Sequence, residues 1–288
     1  MYIFYVSEKT KEKERNGHMD RRNIFIMALI AFVYVLTTPS LSFGEEKPKE
    51  KQPNEDYTIP DHVLNISKEN TFPNSSEDQE VVEPSKLTKS FMEEIDVPIE
   101  NPNLIKLLNE TTLKPSPIAI GYRGMIFLGR WPLNYKSMAT TINWEYQQIN
   151  TNELNNFGSD VKQILRYNQQ EQKEVKGALT SKIVHPDEVK QMMLLKAQDK
   201  TNLPLSYRTV VGKNTKKDHS YHVPVKKHGY LHAHVPAVNE KGQMTFGEVY
   251  IELKGTKKSI VVKNVTKQGI GAWIPIHDHI SFTFQLKD

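Results

Sequence analysis

Alternation of apolar and polar residues dominates the second half of the chain. In the segment 137–150, the apolar residues Ile142, Trp144 and Tyr146 alternate with polar ones, which is the period-two pattern of a half-buried strand. From Pro117 onward two shorter apolar runs, residues 118–122 and Met125–Leu128, predict strand structure that is covered on both sides. The same pattern predicts six more strands: Leu205–Val211, Tyr221–Val225, Tyr230–Val235, Thr245–Leu253, Ser259–Val265 and Trp273–Leu286.

Turn signals separate several of these strands. The runs Asn239-Glu240-Lys241-Gly242 and Lys254-Gly255-Thr256 have the composition of turns. Consecutive strands that are joined by short turns pair antiparallel. We therefore expect a mostly antiparallel sheet.

Helical spacing interrupts the strand pattern at three places. Ser85 is placed as an N-cap before an apolar period of three to four, and Asn101-Pro102 is a second helix start. The third predicted helix begins at Pro186, and Asn202-Leu203-Pro204 ends it. The predicted fold class is α+β, a mostly antiparallel sheet with two or three packed helices.

The N-terminal region contains an uncharged apolar run, Ile24–Leu36, which follows Arg21-Arg22. A basic flank, an apolar run of this length and small residues after it are the features of an export signal. A membrane-spanning helix needs roughly 18 or more apolar residues. We therefore expect an exported protein, secreted or held at the cell envelope, with an uncleaved membrane anchor as the alternative.

The export signal divides the chain. Met19 opens an ordinary signal, so we expect translation to begin there and residues 1–44 to comprise an extension and the signal peptide. Residues 45–84 are acidic and rich in proline and asparagine, which predicts a flexible linker and an extended arm. Residues 85–288 are expected to form a single α+β domain, β-rich after residue 117.

Charge is distributed unevenly between these regions. Residues 45–100 hold 15 Asp and Glu against 6 Lys and Arg, whereas residues 101–288 hold 26 Lys and Arg against 15 Asp and Glu. A basic domain outside the cytoplasm can bind a polyanion such as a wall polymer or a lipid surface, although a solvated surface with the acidic arm folded back on it explains the same pattern. The chain contains no cysteine, which excludes disulfides and thiolate chemistry.

Two His-x-His pairs are the candidate metal ligands. Residues two apart in a strand share a face, so each pair can present two imidazoles side by side. If the strands were neighbours, the four imidazoles could bind zinc, copper or nickel. A His-x-His pair without a third ligand at defined spacing is a weak signal, so ordinary polar-face residues remain the other interpretation. The four residues are His232, His234, His277 and His279.

Lysines near the turns are the candidate surface-binding residues. We expect no nucleic acid as a partner, because we expect the protein to be exported. No motif for a metalloprotease, a serine hydrolase, a P-loop or a calcium loop is present, so no catalytic residue and no cofactor are predicted. The lysines are Lys213, Lys216, Lys217, Lys226, Lys227, Lys254, Lys257 and Lys258.

Four segments of the chain are long and unusual: IAIGYRGMIFLGRWPLNYKSMATTINWEYQQINTN, KTNLPLSYRTVVG, HVPAVNEKGQMTFGEVYIELKG and VVKNVTKQGIGAWIPIHDHISF. They resemble the YfkD-like family of exported proteins of bacilli. The resemblance extends from about residue 57 to the C-terminus. It implies an extracytoplasmic location and carries over no catalytic residue.

Together these patterns predict a non-enzymatic envelope protein that binds a protein partner or an anionic surface. The anionic surface can be a cell-wall polymer or a membrane. The alternative is a metal-binding protein or metal-dependent hydrolase that uses the two histidine pairs. The sequence leaves the oligomeric state open.

Overall fold

Three long strands lie side by side in the computed structural model, which describes residues 57–74, 82–93, 95–111, 121, 123–255 and 257–288. The predicted export signal, the linker up to residue 56 and most of the strand predicted over residues 118–122 lie outside these residues. The second predicted run, Met125–Leu128, is described, and the prediction that it is covered on both sides is wrong, because Met125, Ile126 and Phe127 are 44%, 40% and 57% exposed. Asp56–Asp288 form a compact unit with hydrophobic cores of their own, as expected for a region that can fold by itself. In the described residues no helix combines the length and the apolar character needed to cross a membrane.

Ten strands and three helices are present in the described residues. The helices are α1 (Lys86–Met92), α2 (Pro102–Glu110) and α3 (Pro186–Thr201). The strands are β1 (Val63–Asn65), β2 (Arg123–Asn155), β3 (Gln163–Asn168), β4 (Lys173–Lys176), β5 (Ala178–Leu179), β6 (Arg208–Val211), β7 (Lys216–Val223), β8 (His228–Lys254), β9 (Lys257–Pro275) and β10 (His279–Lys287).

Strand β8 lies at the centre of the main sheet. It has 27 residues, which correspond to on the order of 90 Å of extended chain. Strand β2 follows β8 along one edge, and β10 and then β9 follow it along the other. Every pairing in this sheet is antiparallel, and β1 and β5 add short strands beyond β10 and β9. The predicted α+β class with a mostly antiparallel sheet is therefore confirmed.

The hydrogen-bonded ladders between β8 and its partner strands all change near Pro236 of β8. At Pro236 the partner of β8 changes from β10 to β9, and β9 ends at Pro275. The ladder between β8 and β2 also shifts there, between Asn143 and Gln147. Proline lacks the N–H that a ladder requires, which explains why both prolines lie at the interruption.

Three hydrophobic clusters lie along the sheet. Helix α3 buries Val189, Met193 and Ala197 against the middle of β8 and β9. Helix α2 packs against the part of the sheet near the β8–β9 turn. The arm around Ile66 packs together with β3, β7 and β10 near the start of β8.

The helix starts agree with the predicted caps. Ser85 accepts a hydrogen bond from the Thr88 amide at 3.1 Å, and the Asn101 side chain accepts from the amides of the first turn of α2. Helix α3 begins at Pro186 and ends at Asn202, which adopts the left-handed conformation. These three predictions are confirmed, since each depends on contacts between residues that are close in sequence.

Two strand boundaries were predicted wrongly. The run 239–242 is not a turn but lies inside β8, so two predicted strands form one. The predicted strand Trp273–Leu286 is broken at residues 276–278. In addition, β7 begins at Lys216 and ends at Val223, two residues before the predicted end. The pattern did not predict the strands between residues 163 and 179.

Candidate functional site

Strand β8 places His232 and His234 on the opposite side from a hydrophobic cluster. The intervening residues Leu231, Ala233 and Val235 are buried, whereas both histidines are partly exposed. The predicted polar face of this strand is therefore present. The ring Nδ1 of His232 lies 3.0 Å from the Thr151 hydroxyl of β2.

Of the second histidine pair, His279 is on the neighbouring strand β10 and is not level with the first pair. His234 lies opposite Ser281 of β10, whereas His279 pairs with Asn65 of β1. His277 lies in the turn before β10. Within the ranges that the structure describes, no three His, Asp or Glu side chains form a group that could hold a metal ion. Metal binding by the four histidines stays a prediction.

Two polar atoms near the first pair are buried without a hydrogen-bond partner, Nδ1 of His234 and Oγ of Ser281. Burial lowers the pKa of His234, the nearby charge of His232 lowers it further, and Glu145 opposes both effects. The imidazole is thus favoured in its neutral form. Ser281 is fully buried, so its hydroxyl cannot contact a substrate from solution.

Asp278 joins the second pair to the N-terminal arm. Its Oδ1 accepts hydrogen bonds from Nδ2 of Asn70 at 3.0 Å and of Asn74 at 2.8 Å, and its Oδ2 lies 3.0 Å from Nδ1 of His277. Burial raises the pKa of Asp278, but the hydrogen bonds from His277, Asn74 and Asn70 outweigh burial and hold it below its usual value. Both asparagines also donate to the Val210 carbonyl. The arrangement fixes the arm to the turn before β10.

The predicted surface lysines lie in three separate places. Lys254 and its neighbours adjoin the β8–β9 turn, whereas Lys226 and Lys227 precede the start of β8. Lys213, Lys216 and Lys217 lie at the other end of β7, where Lys217 forms an ion pair with Glu69 of the arm. Lys258 differs from the others, because its Nζ is buried without a hydrogen-bond partner.

Cations gather on one side of the sheet next to the β8–β9 turn. Cross-strand neighbours in an antiparallel sheet share a face. Arg123, Lys254 and Lys257 therefore form a row across β2, β8 and β9, and Arg130, Glu248 and Lys263 form another row six residues along β8. We call this surface the turn-end face; it comprises Arg123, Met125, Phe127, Arg130, Glu248, Tyr250, Glu252, Lys254, Lys257, Ser259, Val261 and Lys263.

The turn-end face is net positive. Its five Lys and Arg residues outnumber its two carboxylates by three charges. Glu252 lies 2.9 Å from Lys254, and Glu248 accepts from the Tyr250 hydroxyl and from Asn264. The bond from Tyr250 is the main reason that the pKa of Glu248 is lowered. Both carboxylates thus have partners within the face, which leaves Arg123 and Lys257 directed to solvent or to a ligand.

Aromatic residues lie between the two cationic rows. The rings of Phe127 and Tyr250 are 5.0 Å apart, and Nζ of Lys263 lies 5.3 Å from the centre of the Tyr250 ring. The turn signal in the sequence indicated Lys254 and Lys257. No local sequence signal indicated Arg123 and Arg130. Both lie in β2, and the β8 residues that pair with them come more than 100 residues later in the chain.

A shallow depression of about 450 Å³ lies farther along the sheet. Gly242, Gly269 and Gly271 line it, and Lys241 is its one ionisable residue among the described residues. The residues that line it include no His, Asp or Glu.

The family model described as YfkD-like protein matches residues 60–288. The chain belongs to this family. A curated relative, "Uncharacterized protein YfkD" of Bacillus subtilis (strain 168), is 54% identical over 230 residues, which cover 80% of this chain and 87% of that protein. The predicted resemblance is confirmed. Neither name states an activity, so function has to be argued from the geometry of this YfkD-like chain.

A solved structure, "Crystal structure of Lamprey immune protein", matches with a TM-score of 0.24 and 6% identity. The match covers 57% of this chain and 53% of that chain, about half of its length. A likeness this low carries no argument about fold or function.

Proposed function

We propose that this YfkD-like protein is a non-enzymatic envelope protein that binds an extended anionic polymer through the turn-end face. The carrying observation is the net positive charge of that face, with Arg123, Lys254 and Lys257 in one row. Exposed cations in such a cluster attract polyanions at long range, and salt weakens the attraction. The ligand chemistry is a chain of phosphodiesters, as in anionic wall polymers.

The expected location supports this ligand. The apolar run Ile24–Leu36 has the features of an export signal, so the domain is expected to act outside the cytoplasm. Wall polymers and lipid headgroups are the abundant polyanions there. The two cationic rows are separated by six residues of β8, or about 20 Å, which suits contact with several repeats of one polymer.

The shape of the face also supports a polymer. It lies on three paired strands, so its charged groups are held by a rigid sheet rather than by loops. Its carboxylates are already paired, which reduces repulsion of an incoming phosphate. A pre-arranged surface loses less side-chain entropy on binding.

Binding of poly(glycerol phosphate) to residues 45–288 tests the proposal. We expect binding that weakens as salt rises from 50 to roughly 500 mM, since screening shortens the range of exposed charges. The triple variant Arg123→Gln/Lys257→Gln/Lys263→Gln should bind roughly tenfold more weakly, given the modest contribution of each exposed charge.

A matched control removes three lysines away from that face. Lys182→Gln/Lys213→Gln/Lys216→Gln changes the net charge by the same amount and should bind nearly as wild type. Salt-insensitive binding, or equal losses in the two triple variants, would refute recognition by the turn-end face.

A further inference from the structure

Two loops meet at the end of β8 that is remote from the turn-end face. One loop, residues 156–162, follows β2, and the other, residues 224–227, joins β7 to β8. The Asn156 amide donates to the Lys227 carbonyl, and the Lys226 amide donates to the Asn156 carbonyl. We call the two loops together with Leu286, Lys287 and Asp288 the loop end.

A buried asparagine holds the two loops in place. Asn156 is fully buried, and its Nδ2 lies 2.9–3.1 Å from the carbonyls of Val161, Val223 and Pro224. A single side chain thus bonds to the backbone of both loops. The loops therefore present their outer side chains from a fixed base.

Three side chains on the outside of this base are apolar and exposed. Phe157 is 51% exposed, Val161 is 66% exposed and Val225 is 41% exposed. Leu286, 43% exposed, is paired with Gly229 next to the loops. Single exposed apolar residues are ordinary, but several on adjoining loops form a patch of the kind that marks an interaction site.

Lysines surround the apolar residues. The loop end holds Lys162, Lys226, Lys227 and Lys287, against the carboxylates of Asp160 and Asp288. Lys227 is paired with Asp288, and Lys287 lies 4.7 Å from the ring centre of Tyr230. Four ammonium groups against two side-chain carboxylates leave the rim cationic.

We propose that the loop end docks on a lipid bilayer that contains anionic headgroups. Phe157, Val161 and Val225 enter the interface between headgroups and acyl chains, and the rim lysines contact lipid phosphates. An aromatic ring and aliphatic side chains surrounded by lysine are the combination that membrane interfaces bind. A soluble polyanion would contact the lysines but leave the apolar side chains in water. This site is separate from the polymer-binding face.

Binding to vesicles of phosphatidylglycerol and phosphatidylcholine (30:70) tests the site, with pure phosphatidylcholine beside it. We expect residues 45–288 to bind the anionic vesicles, and Phe157→Ser to weaken that binding at least about tenfold because an inserted aromatic side chain is lost. Phe127→Ser is the matched control, since Phe127 is 57% exposed but lies at the turn-end face. Wild-type binding by Phe157→Ser, or an equal loss in both variants, would overturn the proposal.

A gain-of-signal measurement covers the case in which Phe157→Ser does not fold. Phe157→Trp and Phe127→Trp are mixed with the same vesicles carrying brominated acyl chains, which quench only indoles that reach the hydrocarbon. We expect additional quenching in Phe157→Trp alone. Quenching in Phe127→Trp alone, or in neither variant, would overturn insertion of the loop end. Poly(glycerol phosphate) binding by Phe157→Ser tells the two proposals apart, because it should remain normal.

Discussion

Asn74 donates a hydrogen bond to Asp278 over 2.8 Å, and this contact ties the N-terminal arm to the turn between β9 and β10. Asp278 is in the left-handed conformation, with φ at 55°, and only 11% of its side chain is exposed. Asn70 donates to the same carboxylate oxygen. One carboxylate therefore connects the arm, the turn and, through the asparagines, the Val210 carbonyl.

Replacement of Asp278 by asparagine should destabilise the fold. The variant keeps a residue type that tolerates the left-handed region but loses the charge that strengthens three hydrogen bonds. We expect the free energy of unfolding to fall by about 1–3 kcal/mol at pH 7, measured by urea denaturation. Asp218→Asn is the control, because Asp218 is 93% exposed and should change stability little.

The stability difference between wild type and Asp278→Asn should depend on pH. The pKa of Asp278 is lowered in the folded protein. The carboxylate therefore contributes to the free energy of unfolding above the ordinary aspartate range, and this contribution is lost as the pH falls through the pKa of the folded state. The difference in stability between wild type and Asp278→Asn should therefore shrink below about pH 4. A constant difference from pH 7 to pH 3 would contradict this assignment.

Glu240 is a buried carboxyl-bearing residue in the middle of β8. It is fully buried and accepts hydrogen bonds from the hydroxyls of Tyr135, Ser137 and Thr140 on β2. Burial is the main reason that the pKa of Tyr135 is raised, and Glu240 raises it further. The hydroxyls therefore stay protonated and serve as donors.

Replacement of Glu240 by glutamine turns one acceptor oxygen into a donor that faces a hydroxyl. We expect a loss of about 2 kcal/mol in the free energy of unfolding, measured by urea denaturation. Glu252→Gln, which affects an ion pair with the partly exposed Lys254, should cost less than about 1 kcal/mol. Equal effects in the two variants would show that the buried hydroxyl contacts do not stabilise the sheet.

The helix caps and Glu240 show which features could be predicted from the sequence pattern and which could not. The caps at Ser85 and Asn101 were predictable, because the atoms that they bond lie within three residues. Glu240 lies in a run with the composition of a turn, yet it is a strand residue because it pairs with Thr140 of β2, 100 residues earlier, and with Ala272 of β9. Local composition cannot report a partner that distant.

The candidate surfaces follow the same rule. Lys254 and Lys257 were predictable because they adjoin a turn signal. Phe157 and Val225 were not, because they become one surface only when Asn156 joins two loops about 70 residues apart. A buried asparagine that bonds carbonyls from two loops has no signature in sequence periodicity.

His234 predicts a second pH dependence. Its pKa is lowered, chiefly by burial and further by His232, while Glu145 opposes the shift. The folded protein thus binds this proton more weakly than the unfolded chain, so stability is complete above the ordinary histidine range and decreases as the pH falls through the folded value. In His234→Gln the decrease between pH 7 and pH 5 should be smaller than in wild type. NMR titration of the His234 ring protons should show a midpoint below the ordinary histidine value of about 6.5, and a midpoint above that value would contradict the burial argument.

Metal content tests the histidine hypothesis directly. Elemental analysis of residues 45–288, purified without a His-tag, would be compared with His232→Ala, His277→Ala and the double variant. Because the two pairs are not level in the sheet and do not form a group of three ligands in the described ranges, any metal held by one pair should survive loss of the other. Stoichiometric metal that disappears in both single variants, His232→Ala and His277→Ala, would contradict this geometry and would support a shared four-histidine site.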